Sequence, residues 1–269
     1  MTALKTLPEL GMPTLIELDG ARENARLCAE LGLKFVELNM NLPEYADIAA
    51  IDRRELSALR EAYGVYFTLH LDERTDLCDF NPLVRQAYLE TLRRALALAA
   101  ESGMPVLNLH WSRGVYFTLP DKKVYLYEQK RGAVSQALTA LRALVRQEAG
   151  ENVTLCIENT DHYTDFAAGD VETLLTEEKI GLTLDVGHMA ADPDCAKYEA
   201  FYEKHIDKLR HMHLHDAKGT KNHLPLGTGE RDWRADLKLA AARDCRAVVE
   251  VKTAEALRAS VEKIRDAEH

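Results

Sequence analysis

The stretch LRHMHLHDAKGTKNHLPLGTGERDW, from Leu209 to Trp233, holds four of the ten histidines in the chain. His211, His213 and His215 alternate, and His223 follows a turn rich in lysine and glycine. Imidazole binds metals and moves protons near neutral pH. Other imidazoles and carboxylates stand beside apolar runs: His70, His110, Glu158, Asp185, His188 and Glu250. Each alone reads as an ordinary hydrogen-bonded residue. As a set they imply a metal site, because buried charge is costly unless it is paired or coordinated. Imidazole and carboxylate without thiolate suit Mn²⁺ or Zn²⁺ first, with Co²⁺, Fe²⁺ and Mg²⁺ as further candidates.

Such residues need elements to aim them, and the sequence supplies a repeating one. A short β-rich run, a turn and an amphipathic helix recur eight times. The runs are TLIELD from Thr14, KFVELNM from Lys34, VYFTLHLDE from Val65 and VLNLHWS from Val106. They continue with VTLCIENT from Val153, IGLTLDVGH from Ile180, LRHMHLH from Leu209 and AVVEVK from Ala247. A typical helix between them is NPLVRQAYLETLRRALALAAESG, with Asn81 as cap, Pro82 in the first turn and Gly103 as terminator. Strands alternating with helices imply a parallel sheet with right-handed crossovers. The count fits a (β/α)₈ barrel, one domain over residues 1–269. An open doubly wound sheet lacks the glycine-rich phosphate loop it would need after its first strand.

In such a barrel the chemistry sits at the carboxyl ends of the strands. The third to eighth runs end in His70, His110, Glu158, Asp185 with His188, the histidine triplet, and Glu250. Side chains alternate along a strand, so these point into the barrel while Leu69, Leu109, Ile157, Leu184 and Val249 face the helices. Glu37 and Asn39 share the inward parity and are weaker candidates for contacts to substrate hydroxyls.

Composition bounds the partners. In 269 residues, 46% hydrophobic and 29% charged, nothing signals disorder, and no apolar run reaches a membrane span. A net charge of −10 disfavours nucleic acid as the main partner and leaves a small molecule. The five cysteines form no CxxC pair, and no secretory pattern opens the chain, so the expected location is cytoplasmic.

At IENT, LTLDVGH, MHLHDAKG, HLPLGTGERDW and VVEVK, in that order, the chain resembles the xylose isomerase-like barrel superfamily. Its members include sugar isomerases and epimerases of the tagatose epimerase type and the endonuclease IV group. The resemblance covers nearly the whole chain. It implies a divalent metal held by Glu158, Asp185, His213 (the first histidine of H-x-x-D) and Glu250. His215 then falls nearer the mouth, as a substrate contact, and His188 matches a position that touches substrate in epimerases and a further metal in the endonucleases. His211, about 6–7 Å deeper by strand rise, is expected to be a core residue. The endonuclease pattern also covers His70, His110 and His223, but Lys221 stands where its D-x-H aspartate belongs. His70 and His110 either bind a second metal with Glu158 or touch substrate, and His223 is a further substrate-contact candidate.

The leading expectation is an isomerase or epimerase of a sugar or small hydroxy-carbonyl compound, with Glu158 and Glu250 moving protons through an enediolate. The alternative is a di- or trinuclear hydrolase, either of the endonuclease IV type or acting on a substrate other than nucleic acid. After His110 the long insertion WSRGVYFTLPDKKVYLYEQ bears Trp111, Arg113, Tyr116, Phe117, Tyr125 and Tyr127. It reads equally as a lid that offers Trp111 and Arg113 to substrate, as a loop packed on its own aromatics, or as a contact in a homo-oligomer. Asn159, His162 and Tyr163 are expected on the same rim.

Overall fold

The computed structural model describes residues 7–159, 164–193 and 195–267. Eight parallel strands close into a barrel: β1 (Glu9–Pro13), β2 (Phe35–Asn39), β3 (Tyr66–His70), β4 (Val106–His110), β5 (Thr154–Glu158), β6 (Ile180–Asp185), β7 (Leu209–Leu214) and β8 (Arg246–Val249). β8 pairs back onto β1, so the barrel itself has no open edge. Helices ring the barrel, and the fold is a single (β/α)₈ barrel. Among the described residues no helix is long and apolar enough to cross a membrane.

The expected helix after β3 runs Pro82–Ser102. Asn81 Oδ1 accepts the Leu83 N–H at 3.1 Å, and Gly103 ends the helix at a φ of 66°. Leu92, Leu96 and Leu98 are fully buried on it, and each such leucine stabilises the fold by roughly 1.5–3 kcal/mol. Leu69, Leu109, Ile157, Leu184 and Val249 are all buried, as their outward parity requires.

One strand differs from expectation. The first is not TLIELD but the five residues before it, and Ile16 is left 80% exposed. Pairing on both sides decides this. Glu9, Leu10 and Gly11 pair with Arg246, Ala247 and Val248, and Gly11 to Pro13 pair with Phe35 to Glu37. The Phe35 ring lies directly over Gly11, where a Cβ would overlap it. The residues that follow are drawn into a turn: Thr14 Oγ1 donates to the Glu37 carbonyl at 2.7 Å, and Asn24 Oδ1 accepts the Leu15 N–H at 2.9 Å.

The barrel interior is layered. Phe35 stacks on Tyr66 at the floor, with centroids 5.2 Å apart. Above it lies a buried polar layer that includes Glu37, Thr68, Asn108, Thr183 and His211. Two residues further along their strands come the imidazoles and carboxylates of the mouth. Replacing Gly11 by alanine forces the floor apart. The expected cost is about 1–3 kcal/mol, measured as a lower urea midpoint at unchanged slope.

Candidate metal centre

The ends of β5, β6 and β7, with the residue after β8, converge on one imidazole nitrogen. His213 Nδ1 lies 3.0 Å from Glu250 Oε2, 3.3 Å from Glu158 Oε1 and 3.7 Å from Asp185 Oδ2. The side chains of His213, Glu158 and Asp185 are wholly buried, and that of Glu250 is 19% exposed. Burial opposes charge on every one of these groups, yet the mutual attraction wins. His213 is held well above the ordinary imidazole range by Glu158, Glu250 and Glu37, and the neighbouring imidazoles hold Glu158 and Asp185 well below the carboxylate range.

The polar accounting is incomplete without another partner. Among the described residues, Glu158 Oε1, Glu250 Oε2, both His213 nitrogens, His188 Nδ1 and His211 Nδ1 are buried with no aligned hydrogen bond. His188 Nδ1 lies 3.2 Å from Asp185 Oδ2 and 3.6 Å from Glu158 Oε1. Orphaned buried atoms of this kind need an ion or a water. The donor set of imidazole nitrogen and carboxylate oxygen fits a divalent cation of the Mn²⁺ or Zn²⁺ type.

A second group adjoins the first through Glu158. Its Oε2 lies 3.4 Å from His70 Nε2 and 3.2 Å from His110 Nε2. His70 Nδ1 donates to the Leu71 carbonyl at 2.7 Å, so Nε2 is the nitrogen turned toward Glu158. Burial disfavours the His70 cation, but Glu158 raises this ring to about 9, and Asp185 and Glu158 likewise raise His188 to about 10. The Asn108 amide also donates to Glu158 Oε2, while its Oδ1 accepts from Thr183 Oγ1 at 2.5 Å. Sequence reasoning missed Asn108, although it sits two residues before His110 with the same inward parity.

His215 and Asn159, both expected at the substrate, make contact with Asp185. The His215 ring is fully buried, and its Nε2 lies 3.0 and 3.1 Å from the two Asp185 oxygens. Its Nδ1 accepts the His223 N–H at 2.8 Å. That bond is far shorter than the 3.4 Å approach to the Asp216 carbonyl, so Nδ1 is the acceptor and Nε2 carries the proton. Both nitrogens have a partner within the chain, and His215 also belongs to two groups of side chains close enough to hold an ion, with Asp185 and Glu250 and with His188 and His223. The ring fits because residue 187 is glycine, where a Cβ would overlap it. Asn159 follows Glu158 and so has the opposite parity. It turns from the barrel axis to grip Asp185, accepting its N–H at 2.8 Å and donating to its carbonyl at 3.0 Å.

The H-x-x-D aspartate is a loop organiser. Asp216 accepts the backbone N–H of Ala217, Gly227, Gly229 and Arg231, each at 2.9 Å. Those bonds account for the LGTGER segment, since a Cβ at residue 229 would overlap the Asp216 carboxylate. His223 stacks on His215 with centroids 4.2 Å apart, and its Nδ1 donates to the Glu250 carbonyl at 3.2 Å. Its φ of 52° lies in the left-handed region, which costs a non-glycine residue roughly 1–3 kcal/mol. Lys221 is exposed on the hairpin formed by Asp216–Lys218 and Lys221–Leu224. His211, expected as core, is fully buried and bonded to Glu37 at 2.9 Å.

The insertion after His110 forms an antiparallel hairpin, Tyr116–Thr118 with Lys123–Tyr125, packed on its own aromatics. Trp111 and Tyr127 are buried in the apolar core, Phe80 meets Tyr127 edge-on, and Tyr116 packs against Tyr125. The Arg113 guanidinium lies 5.4 Å over the Tyr116 ring. His162 and Tyr163 lie outside the described residues.

A family model described as the xylose isomerase-like TIM barrel matches residues 25–267. The chain belongs to that family. An uncharacterized protein of Methanocaldococcus jannaschii is 26% identical over 243 residues, covering 86% of this chain and 88% of its own. Among solved structures, the 3-keto-D-glucoside 4-epimerase YcjR of E. coli aligns over 96% of this chain and 99% of its own, at 18% identity and a TM-score of 0.74. Endonuclease IV of Thermus thermophilus aligns over 96% of this chain and 100% of its own, at 17% identity and a TM-score of 0.67. At those identities the two structures show a shared fold, and the chemistry of this xylose isomerase-like barrel rests on its own residues.

Two outcomes follow from the site. Gly187→Ala should push His215 off Asp185 and weaken metal binding about 10–100-fold, read by chelator competition with an unchanged far-UV spectrum. In the metal-free protein, His70 is raised from 6.5 to about 9 and His188 from 6.5 to about 10. A raised imidazole pKa contributes stability that is complete below 6.5 and disappears as pH climbs through the folded value. Urea midpoints measured in chelator should therefore fall between pH 6.5 and about 10.

Proposed function

We propose that this chain is a divalent-metal enzyme whose two adjoining ligand sets share Glu158, and that it hydrolyses a small substrate other than nucleic acid. Glu158, Asp185, His213 and Glu250 would form one set; His70, His110 and Glu158 the other. The observation that carries this reading is the enclosure of Glu158. One oxygen faces His70, His110 and the Asn108 amide, and the other faces His213 and His188. Oε2 is taken up by the Asn108 amide and the two imidazoles, and Oε1 is left without an aligned hydrogen bond. Such a carboxylate suits the role of a shared ligand.

Divalent ions held there would supply Lewis acidity and make water acidic enough to react at neutral pH. The chain's own groups supply the remainder. Glu250 is the carboxylate with solvent access, and it can accept a proton at the mouth. His188, whose Nδ1 lies 3.2 Å from Asp185 Oδ2 and 3.6 Å from Glu158 Oε1, stands where it can donate to a departing oxygen or stabilise its charge. His223 and Arg113 are the remaining candidates for substrate contact. The net charge of −10 supports a small-molecule substrate over a nucleic acid.

A second reading keeps the isomerase chemistry in narrower form. A single base at Glu250 can shuttle a proton along one face of a hydroxy-carbonyl compound, which needs no second carboxylate.

Metal counting separates the two readings. Reconstituted protein should hold about two ions per chain, and the His70→Ala/His110→Ala variant about one, with loss of p-nitrophenyl ester or phosphoester hydrolysis. One ion in both proteins, together with solvent-deuterium exchange into an aldose or ketose, would overturn hydrolysis in favour of the isomerase. Cleavage of abasic duplex DNA would instead point to a nuclease.

A further inference from the structure

The polar layer beneath the mouth contains a carboxylate that the chemistry above does not use. Glu37 on β2 is buried, and three side chains converge on it. His211 Nε2 lies 2.9 Å and Thr68 Oγ1 3.0 Å from Oε2, and His213 Nε2 lies 2.9 Å from Oε1. His213 therefore has opposite faces. Its Nδ1 looks up at Glu158, Asp185 and Glu250, and its Nε2 looks down at Glu37.

A neutral imidazole holds one proton, and its second nitrogen can bind metal only if the proton sits on the first. A carboxylate beneath Nε2 favours the proton there and leaves the Nδ1 lone pair facing the three carboxylates. It also resists rotation of the ring about its Cβ–Cγ bond. The carboxylate needs holding in turn, and the bonds from His211 and Thr68 to its other oxygen do so. This gives the inward-facing His211 a purpose beyond filling space.

We infer that Glu37 is a positioning residue for the metal ligand His213, with His211 and Thr68 holding Glu37 in place. The inference rests on the reading of His213 as a ligand through Nδ1. Glu37, His211 and His213 also stand close enough to hold an ion themselves, and the inference assigns Glu37 and His211 to support instead. The Thr68 hydroxyl and the His211 ring already occupy one Glu37 oxygen at hydrogen-bonding distance, and the His213 ring stands at the same distance from the other. An ion bound among these three groups would have to displace those contacts, and it would add to the metal count.

The test uses zinc-loaded protein, in wild type and in Glu37→Leu, with Glu37→Gln as a second variant should leucine prevent folding. Zinc affinity is measured by chelator competition, stoichiometry by elemental analysis, and the His213 ring by ¹⁵N-imidazole NMR. Wild type should show a His213 Nε2–H resonance shifted downfield by its carboxylate partner. In the variant that resonance should move upfield and exchange faster, and zinc affinity should fall about 10–100-fold at unchanged stoichiometry. The His211→Phe variant should weaken zinc binding by a smaller factor in the same direction. Wild-type affinity and an unmoved resonance in a folded Glu37 variant would overturn the inference. So would loss of one whole ion, which would make Glu37 a ligand. Wild-type protein that binds no zinc would defeat the ligand reading itself, a result distinct from either.

Discussion

Crowded, buried charge is the constraint on which the rest of this structure depends. Glu158, Asp185 and Glu250 meet at one end of a barrel core, and Glu37 lies just below them. A carboxylate removed from water costs several kcal/mol unless something compensates it. Here the compensation is imidazole, from His70, His110, His188, His213 and His215 around the mouth. It still leaves polar atoms of Glu158, Glu250, His188 and His213 unsatisfied. A site that remains unbalanced after its own side chains are paired could hold a cation.

The barrel meets this constraint by building in pairs along each strand. Thr68-Leu69-His70, Asn108-Leu109-His110, Thr183-Leu184-Asp185 and His211-Met212-His213 all read polar, apolar, polar. The middle residue packs against helices, the last reaches the mouth, and the first lies one pleat deeper. The deeper layer steadies the upper one. Asn108 joins Thr183 to Glu158, and Thr68 and His211 hold the Glu37 that faces His213. Much of the polar interior is thus bonded within itself, and the aliphatic core lies outside the strands.

The loops apply the same logic from above. Asp216 gathers four backbone N–H groups and shapes the segment after His223, and the His223 backbone N–H then sets the tautomer of His215. Gly187 makes room for that ring. Asp185 is therefore held through its side chain by His215 and through its backbone by Asn159.

The sequence by itself determined the barrel, its count of strands and the inward set from His70 to Glu250, because alternation along a strand and the position of a strand end are local properties. It also marked His211 as core by its depth in the strand. Tertiary structure decided which strand closes the barrel, since Glu9–Pro13 is chosen by pairing to both neighbours and by the space that Phe35 needs over Gly11. It decided the work of His215, Asn159 and Glu37 too. Their types and spacing suit contact with substrate, but a hydrogen bond depends on which groups lie across the barrel, and those come from strands up to 174 residues away, as Glu37 does from His211. Local patterning dictates where a side chain points; only closure of the barrel dictates what it meets.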